Sequence, residues 1–597
     1  MIRDVIATDG VLLRVYQSGA PSAPAVVCVH GYPDDHILWD GVTAELAARY
    51  HVVSYDVRGA GASGKPAERR AYRLDQLARD LVAVVAAVSP ARAVHLLAHD
   101  WGAVQVWHAL TGEWLAGRVA SFTSISGPCL DHVAHWLQAR LRRPTPKAIR
   151  ELVTQLVSSW YIGFFQLPLL PELAWRSGLT QRALRMVEPS STPAVADTRH
   201  GLQLYRANLL PRLAAPDPRR LTIPVQVLAP HRDPFIVSSL QTDIEQWVPN
   251  LAVRELPGGH WLPRTHPQVV ARCAAELIDN AEGGPESRAL RRARRRRQQR
   301  QHQPFHDALV VITGAGSGIG RATAVEFAAR GAQVVVTDID QDAAERTAGL
   351  AATLGTPATA YPLDVSDGGA VEKFSTVLNE AHGIPDIVIN NAGVGIAGPF
   401  FDTTVADWER IIDVNLWGVI HGCRVLGGLM RTGGAGGIIV NVASAAAYLP
   451  IPALSAYATT KAAVLALSQC LRAELAQAGI GVVAVCPGFV HTNITNSTRF
   501  LGLDAAQQQA ARQRAGELYR RRNFTPQQAA QEILHAVERN TAIATVTPEA
   551  KAALLASRLT PGLVRVLAQR TAGEWHESRG TRPGTPQRGG RHDPTNG

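Results

Sequence analysis

At 597 residues the chain is too long for one ordinary domain, and 46% hydrophobic with 18% charged residues is the composition of packed globular domains, which excludes a disordered or fibrous chain. The formal net charge of +10 is concentrated, with eight arginines between Arg288 and Arg300, so the remainder is near neutral and the basic balance says little about any active site. No apolar run reaches the roughly 18 residues of a membrane span, no leader pattern opens the chain, and six cysteines (28, 129, 273, 423, 470, 486) without CxxC spacing exclude a disulfide framework or zinc pattern and point to a reducing cytoplasm.

In chain order, residues 26–29 have a buried-strand pattern and run into His30-Gly31-Tyr32-Pro33. A helix near 42–48 and a strand over 52–55 follow. The turn Asp56-Val57-Arg58-Gly59-Ala60-Gly61-Ala62-Ser63 reads as architectural, with Gly59 and Gly61 for the bend and Arg58 for local pairing. After a helix over 74–88, a strand at 94–97 meets Ala98-His99-Asp100-Trp101-Gly102-Ala103 and a helix over 104–110. A strand feeding a helix through small residues is the setting of a nucleophile elbow, and Asp100 stands where esterases and lipases carry serine. A carboxylate can attack an sp³ carbon and form an alkyl ester that water then cleaves. Epoxide opening or halide displacement is the chemistry this suggests. Strands at 225–229 and 253–256 place Asp233 and His260 just past their ends. Alternating strands and helices predict a parallel α/β sheet, and the order nucleophile, acid, histidine is that of α/β-hydrolases.

On these motifs residues 1–280 resemble an α/β-hydrolase of the epoxide hydrolase family, HGYP at 30–33 matching HGxP and HDWG at 99–102 the nucleophile motif. The resemblance implies an oxyanion hole from the N–H groups of Tyr32 and Trp101, and a water-activating His260 held by Asp233. It makes residues 128–222 a lid, in which Tyr161 and Tyr205 occupy the positions of two phenols that donate to the epoxide oxygen. The alternative is a haloalkane dehalogenase, which shares the aspartate and tryptophan but needs a second halide donor, often at the x of HGxP. Tyr32 stands there, so epoxide is favoured. His99, His132 and His135 have no metal spacing and read as structural, and no metal is expected. The apolar lid (Trp160, Ile162, Phe164, Phe165, Leu167, Leu169) suggests a hydrophobic, lipid-like epoxide.

Residues 281–304 read as a linker whose arginine run is disordered or a solvated helix. No aromatics interleave it, so a nucleic-acid partner is not expected. Peripheral contact with an anionic membrane is the partner it suggests.

A strand at 309–312 runs into Thr313-Gly314-Ala315-Gly316-Ser317-Gly318-Ile319-Gly320, then a helix over 321–330 and a strand over 333–337 closed by Asp338. This is a Rossmann opening, whose glycines admit a pyrophosphate to the helix N-terminus. The terminal acid holds a ribose 2′-hydroxyl and repels a 2′-phosphate, so NAD is expected over NADP. Residues 305–560 resemble a short-chain dehydrogenase/reductase. The resemblance implies cofactor contacts at Gly314, Ser317, Gly318, Ile319, Gly320 and Asp338. It adds Asp364 and Val365, then Asn391, Ala392 and Gly393 of the NNAG motif, and Pro487, Gly488 and Thr492. It implies a catalytic tetrad of Asn415, Ser444, Tyr457 and Lys461. In YATTK, Tyr457 and Lys461 lie four apart, on one helix face, where the cation stabilises a phenolate. Residues 496–519 would bind substrate, and 571–597 read as a disordered tail.

As a whole the chain resembles actinobacterial two-domain proteins that fuse an epoxide hydrolase to a short-chain dehydrogenase. The implied fold class is α/β: an α/β-hydrolase with a helical lid, then a Rossmann-type doubly wound parallel sheet. The implied function is bifunctional. An epoxide becomes a vicinal diol, and an alcohol–ketone pair is interconverted with NAD. The family also implies a homo-oligomer through the dehydrogenase domain.

Overall fold

A computed structural model describes residues 1–188, 194–295, 299, 302–492, 494, 498–521 and 523–577, and every count and absence below refers to these. The chain divides into two compact units, the first built on Met1–Gln303 and the second beginning at Pro304.

The first unit holds an eight-stranded sheet of β1 (Ile2–Ile6), β2 (Leu12–Ser18), β3 (Ala25–Val29), β4 (His51–Tyr55), β5 (Val94–His99), β6 (Val119–Ile125), β7 (Val225–Pro230) and β8 (Leu251–Leu256), in the order β1-β2-β4-β3-β5-β6-β7-β8. From β4 to β8 every pairing is parallel; β1 and β2 add an antiparallel edge. All five residues of β3 are buried. Val27 and Val29 join one apolar cluster with Leu96 and Val225, while Val26 and Cys28 join another with Val52 and Leu97. A period of two sends alternate residues to opposite faces, and both faces are covered, as a parallel sheet requires. Between β6 and β7 the chain is helical and forms the lid, with helices Leu130–Arg142, Pro146–Ser158, Trp160–Gln166, Leu170–Arg176, Leu179–Val187 and Val195–Ala214.

The glycine-rich turn after β4 is held by charge. Arg58, 2% exposed, donates to both oxygens of Asp80 (2.5 and 2.6 Å) and to Asp9 (2.8 Å). Removing one partner of a buried ion pair strands the other in a low-dielectric site, at a cost of about 3–5 kcal/mol. Arg58→Met is therefore expected to destabilise the first unit by about that much in urea unfolding. A loss under about 1 kcal/mol, the scale of an exposed pair, would contradict the buried-pair account.

The solvated linker is corrected in part. Residues Arg288–Arg294 form a helix capped by Ser287, and Leu290 and Ala293 pack with Ala252 of β8 and Leu277. Two apolar residues three apart supply a buried edge that the surrounding arginines obscure in the sequence. Arg294 bonds Glu286 (2.5 Å) and Asn280 (2.9 Å). Residues 296–298, 300 and 301 lie outside the described set.

The second unit continues with β9 (Leu309–Thr313), β10 (Gln333–Asp338), β11 (Ala358–Pro362), β12 (Ile387–Asn390), β13 (Ile396–Ala397), β14 (Gly437–Val442), β15 (Ile480–Cys486), β16 (Arg499–Phe500) and β17 (Ile543–Thr545). Seven make one parallel sheet, β11-β10-β9-β12-β14-β15-β17, and β13 pairs with β16. The reversal at β9 puts a crevice at the carboxyl ends of β9 and β12, where such folds bind dinucleotides. The disordered tail is also corrected. The helix Pro561–Glu577 runs through 571–577, since Pro561 suits a helix start and Gly573 costs only about 1 kcal/mol. Residues 578–597 lie outside the described set. No described helix is long and apolar enough to cross a membrane, and all six cysteines are free.

Candidate active sites

In the first unit, β5 ends at His99 and the helix Trp101–Thr111 begins at once. Asp100 between them has φ 52° and ψ −126°, a strained backbone of the kind that persists where surroundings over-determine it. The turn throws the carboxylate clear of the sheet edge. The loop after β3 closes over it: the Tyr32 N–H donates to Asp100 Oδ1 at 2.8 Å. A side chain at Gly31 would meet Asp100 Oδ1 at 2.5 Å, so only glycine lets the loop approach. Trp101 heads its helix, where first-turn N–H groups have no partner within the helix.

His260 reaches the carboxylate from the loop after β8. Its Nε2 lies 3.6 Å from Asp100 Oδ2, and its Nδ1 lies 3.0 Å from Asp233 Oδ2. Burial pulls the His260 pKa down, but the charge of Asp233, with the hydrogen bonds of Asp100 and Asp233, outweighs this and raises it to about 10. Burial pulls the Asp233 carboxyl up, yet the adjoining imidazolium leaves it below the usual range. The resting site is thus an imidazolium between two carboxylates.

Tyr161, from the helix Trp160–Gln166, and Tyr205, from Val195–Ala214, face each other at 6.0 Å between ring centroids. Burial raises both phenol pKa values well above 10, and Asp100 adds to the rise in each. Both stay protonated and able to donate. Trp101 packs on Tyr205 (4.8 Å), and Phe235 lies between Tyr161 (5.4 Å) and His260 (4.9 Å). The chamber is therefore aromatic, with its polar groups at Asp100, His260 and the two phenols.

Three supporting residues were not singled out for this site. His30 of HGYP accepts from Val57 N–H on Nε2 (2.9 Å) and donates from Nδ1 to the Gly31 carbonyl (2.9 Å), which fixes its tautomer and the Tyr32 loop. His99 bonds the His260 carbonyl through Nε2 (2.9 Å), and burial followed by the neighbouring His260 lowers its pKa to about 3, so it stays neutral. Asp34 takes the Trp261 indole N–H (2.8 Å) and Arg264 (2.6 Å) beside the histidine. Their place in or beside the motifs was the available signal; nothing local reveals that Asp34 meets Trp261, 227 residues away.

In the second unit, Gly314 and Gly318 have φ +61° and +55°. Ser317 makes no side-chain cap for the helix Gly318–Ala329, which leaves its first-turn N–H groups open. A side chain at Gly320 would strike Asn391 Nδ2 at 2.5 Å. Asn391 spends that amide on the carbonyls of Thr313 (3.0 Å) and Gly314 (2.9 Å), tying β12 to the glycine loop. Ala392 and Gly393 follow it, and Ile319 packs on the core. Asp338 ends β10 and accepts from Gly316 N–H at 2.8 Å. Thr492 stands 3.3 Å from where a Gly318 side chain would begin, and Ala445 N–H donates to the Pro487 carbonyl (2.8 Å). Gly488 lies close against Thr547. Val365 is buried beside exposed Asp364, which accepts from Ser366. The open helix end, the glycine cradle and the terminal acid fit a dinucleotide.

Asn415 lies in a π-helical turn, Asp413–Trp417, a rare geometry frequent at functional sites. It holds both backbone groups of Val394 (2.8 and 3.0 Å). Asn415 Oδ1 and Lys461 Nζ both converge on Gly393. On the helix Ser455–Glu474 the Lys461 ammonium lies 5.8 Å from the Tyr457 ring and donates to the Val442 carbonyl (2.8 Å). Burial lowers the Lys461 pKa to about 8. Ser444 follows β14 and heads the short turn Ala445–Ala447, on which the tyrosine helix packs. Of the expected substrate segment, Ala505–Arg521 is helical; 493, 495–497 and 522 are outside the described residues.

Residues 24–267 match the family model of the α/β-hydrolase fold and residues 308–500 that of short-chain dehydrogenases. "Probable oxidoreductase EphD" of Mycobacterium tuberculosis is 41% identical over 586 residues, covering 95% of this chain and 98% of that protein. "Meso-2,3-butanediol dehydrogenase" of Serratia marcescens is 38% identical over 193 residues, 32% of this chain and 75% of that protein. A Burkholderia phymatum short-chain dehydrogenase/reductase solved with NAD is 29% identical at TM-score 0.40, covering 48% of this chain and 99% of that one. The chain is an enzyme with an α/β-hydrolase domain and a short-chain dehydrogenase domain. It belongs to the family of mycobacterial EphD, in which an α/β-hydrolase domain is joined to a short-chain dehydrogenase/reductase domain.

Proposed function

We propose that the first domain converts a hydrophobic epoxide to a vicinal diol through an ester on Asp100, and that the second interconverts an alcohol and a ketone with NAD. The observation that carries the first half is one carboxylate flanked by the Tyr32 N–H and His260, in a chamber with two protonated phenols. Asp100 Oδ1 rests on the Tyr32 N–H, which leaves Oδ2 to attack an epoxide carbon. The C–O bond breaks, and Tyr161 or Tyr205 protonates the departing oxygen. Ester formation removes the Asp100 charge, one of the causes that raise His260. The imidazolium then gives up its proton more readily, restoring the phenol that protonated the departing oxygen, and becomes a base. Water attacks the ester carbonyl, His260 takes its proton, and the N–H groups of Tyr32 and Trp101 hold the oxyanion. Collapse breaks the ester C–O bond, His260 passes its proton to the departing diol oxygen, and the remaining proton of the attacking water returns to His260, which restores the Asp100 carboxylate.

His260→Gln is expected to block only the second step. A covalent adduct of substrate mass should accumulate on the peptide containing Asp100, as mass spectrometry reads. An unmodified peptide from an inactive His260→Gln, with soaking times long enough for wild type to turn over, would sink the ester mechanism.

In the second domain Gly314, Ser317, Gly318, Ile319 and Gly320 would hold the pyrophosphate and Asp338 the ribose. NAD, when bound, supplies the hydride acceptor or donor. Tyr457 passes the proton of the reacting hydroxyl, Lys461 stabilises its phenolate, Ser444 holds the substrate oxygen and Asn415 supports the proton path. The Asp338 carboxylate favours NAD over NADP, which kcat/KM for the two dinucleotides compares. The resemblance to a butanediol dehydrogenase supports a diol from the first site as the alcohol for the second. Exposed Phe401 and Val405 support assembly of the dehydrogenase domain with a second copy, and the free cysteines a cytoplasmic location.

A further inference from the structure

Much of the lid's apolar surface points away from the core. On the helix Pro146–Ser158 only Ala148 is buried, while Ile149, Val153, Leu156 and Val157 are exposed. Their spacing of four, three and one makes a single helical stripe, and it faces outward. Trp160, 71% exposed, extends it at the head of the next helix, beside the inward-turned Tyr161. Leu169, Leu170 and Leu173 are exposed on the neighbouring Leu170–Arg176 segment, and the helix Leu179–Val187 buries none of its residues, with Met186 81% exposed. Successive lid helices pack on one another, and each carries exposed apolar residues. Apolar area of this kind marks an interaction site.

Charge identifies the occupant. Residues 141–187 contain seven arginines or lysines and two acids. Both acids are engaged, Glu151 with Arg140 (2.8 Å) and Glu172 with Arg206 (2.6 Å). Arg142, Arg150, Arg182 and Arg185 are exposed around the stripes. Aliphatic and indole side chains among exposed cations match the headgroup boundary of an anionic bilayer. A second copy would bring like charges together across a self-complementary interface.

We propose that the outer face of the lid docks on anionic lipid surfaces, with Trp160, and so the helix that carries Tyr161, at the bilayer. That a hydrophobic epoxide enters there rests on the function proposed above. Docking does not, because vesicle binding is read without any epoxide.

The test is co-sedimentation of the full chain with vesicles of phosphatidylcholine alone or mixed with phosphatidylglycerol. Binding to the mixed vesicles is expected to be about tenfold tighter or more and to weaken with salt. Leu156→Glu with Leu169→Glu, and separately Arg182→Glu with Arg185→Glu, should each weaken it about tenfold. Both double variants should keep the wild-type thermal midpoint and turnover of a water-soluble epoxide. Three results would overturn the proposal. They are equal binding by wild type and both variants, binding lost only when Arg291 and Arg292 are changed to glutamine, and no vesicle binding with an oligomer that the leucine variant dissociates.

Discussion

Asp100→Ala is expected to lower diol formation about 10,000-fold, the scale at which loss of a nucleophile leaves only binding and oxyanion stabilisation. The residue has three jobs in one carboxylate. It is the attacking atom, the group on the Tyr32 N–H, and one of the two charges that hold His260 up at about 10. Alanine ends all three and places only a methyl group at the φ 52° turn. The fold should survive, because the β5 neighbours and the helix after the elbow are packed by other side chains. NAD-linked activity in the same preparation should be unchanged and serves as the internal control. Loss of both activities together would instead indicate unfolding.

Tyr457→Phe is expected to lower NAD-linked turnover about 1,000-fold or more, within the range for removing a positioned acid–base group that also holds the substrate. The phenol is the group beside a buried ammonium, and phenylalanine keeps its packing against the core residues around Ile396 and Ala456. Hydrolysis in the first domain should not change. The pH profile adds a second readout. Burial sets the Lys461 pKa at about 8, so the ammonium is charged below that pH and loses its charge above it. Phenolate stabilisation should fade as pH rises through this value. Lys461→Met should therefore raise the apparent pKa of the catalytic phenol; a wild-type profile in that variant would contradict the pairing of the two residues.

The catalytic groups were legible because their local settings are short. A strand, small residues and a helix mark Asp100, and a four-residue spacing marks Tyr457 and Lys461. Partners set by tertiary contact were not. His99 meets the His260 carbonyl across 161 residues, and Asp34 meets Trp261 across 227. The lid shows the same limit from another side. Its apolar run suggests a hydrophobic substrate, and Phe165 and Trp175 are indeed buried. Trp160, Leu167, Leu169, Leu170 and Leu173 face outward. Composition counts apolar residues without saying which side of a helix meets the core, and the short lid helices carry too few turns for periodicity to decide. Leu290 and Ala293 make the converse case: two small signals inside an arginine run dock a helix that charge alone would leave in solvent. The antiparallel edge of β1 and β2 also went unread, since half-exposed strands lack the continuous apolar run that marked β3.

Single-turnover hydrolysis of a hydrophobic epoxide in ¹⁸O-water, with enzyme in excess, tests the central claim most directly. If Asp100 forms the ester, the first diol carries the unlabelled Asp100 oxygen, and the water oxygen appears in the peptide that contains Asp100. Label in the first diol and none in that peptide would mean that water attacks the epoxide directly, with Asp100 acting as a base and not as the nucleophile.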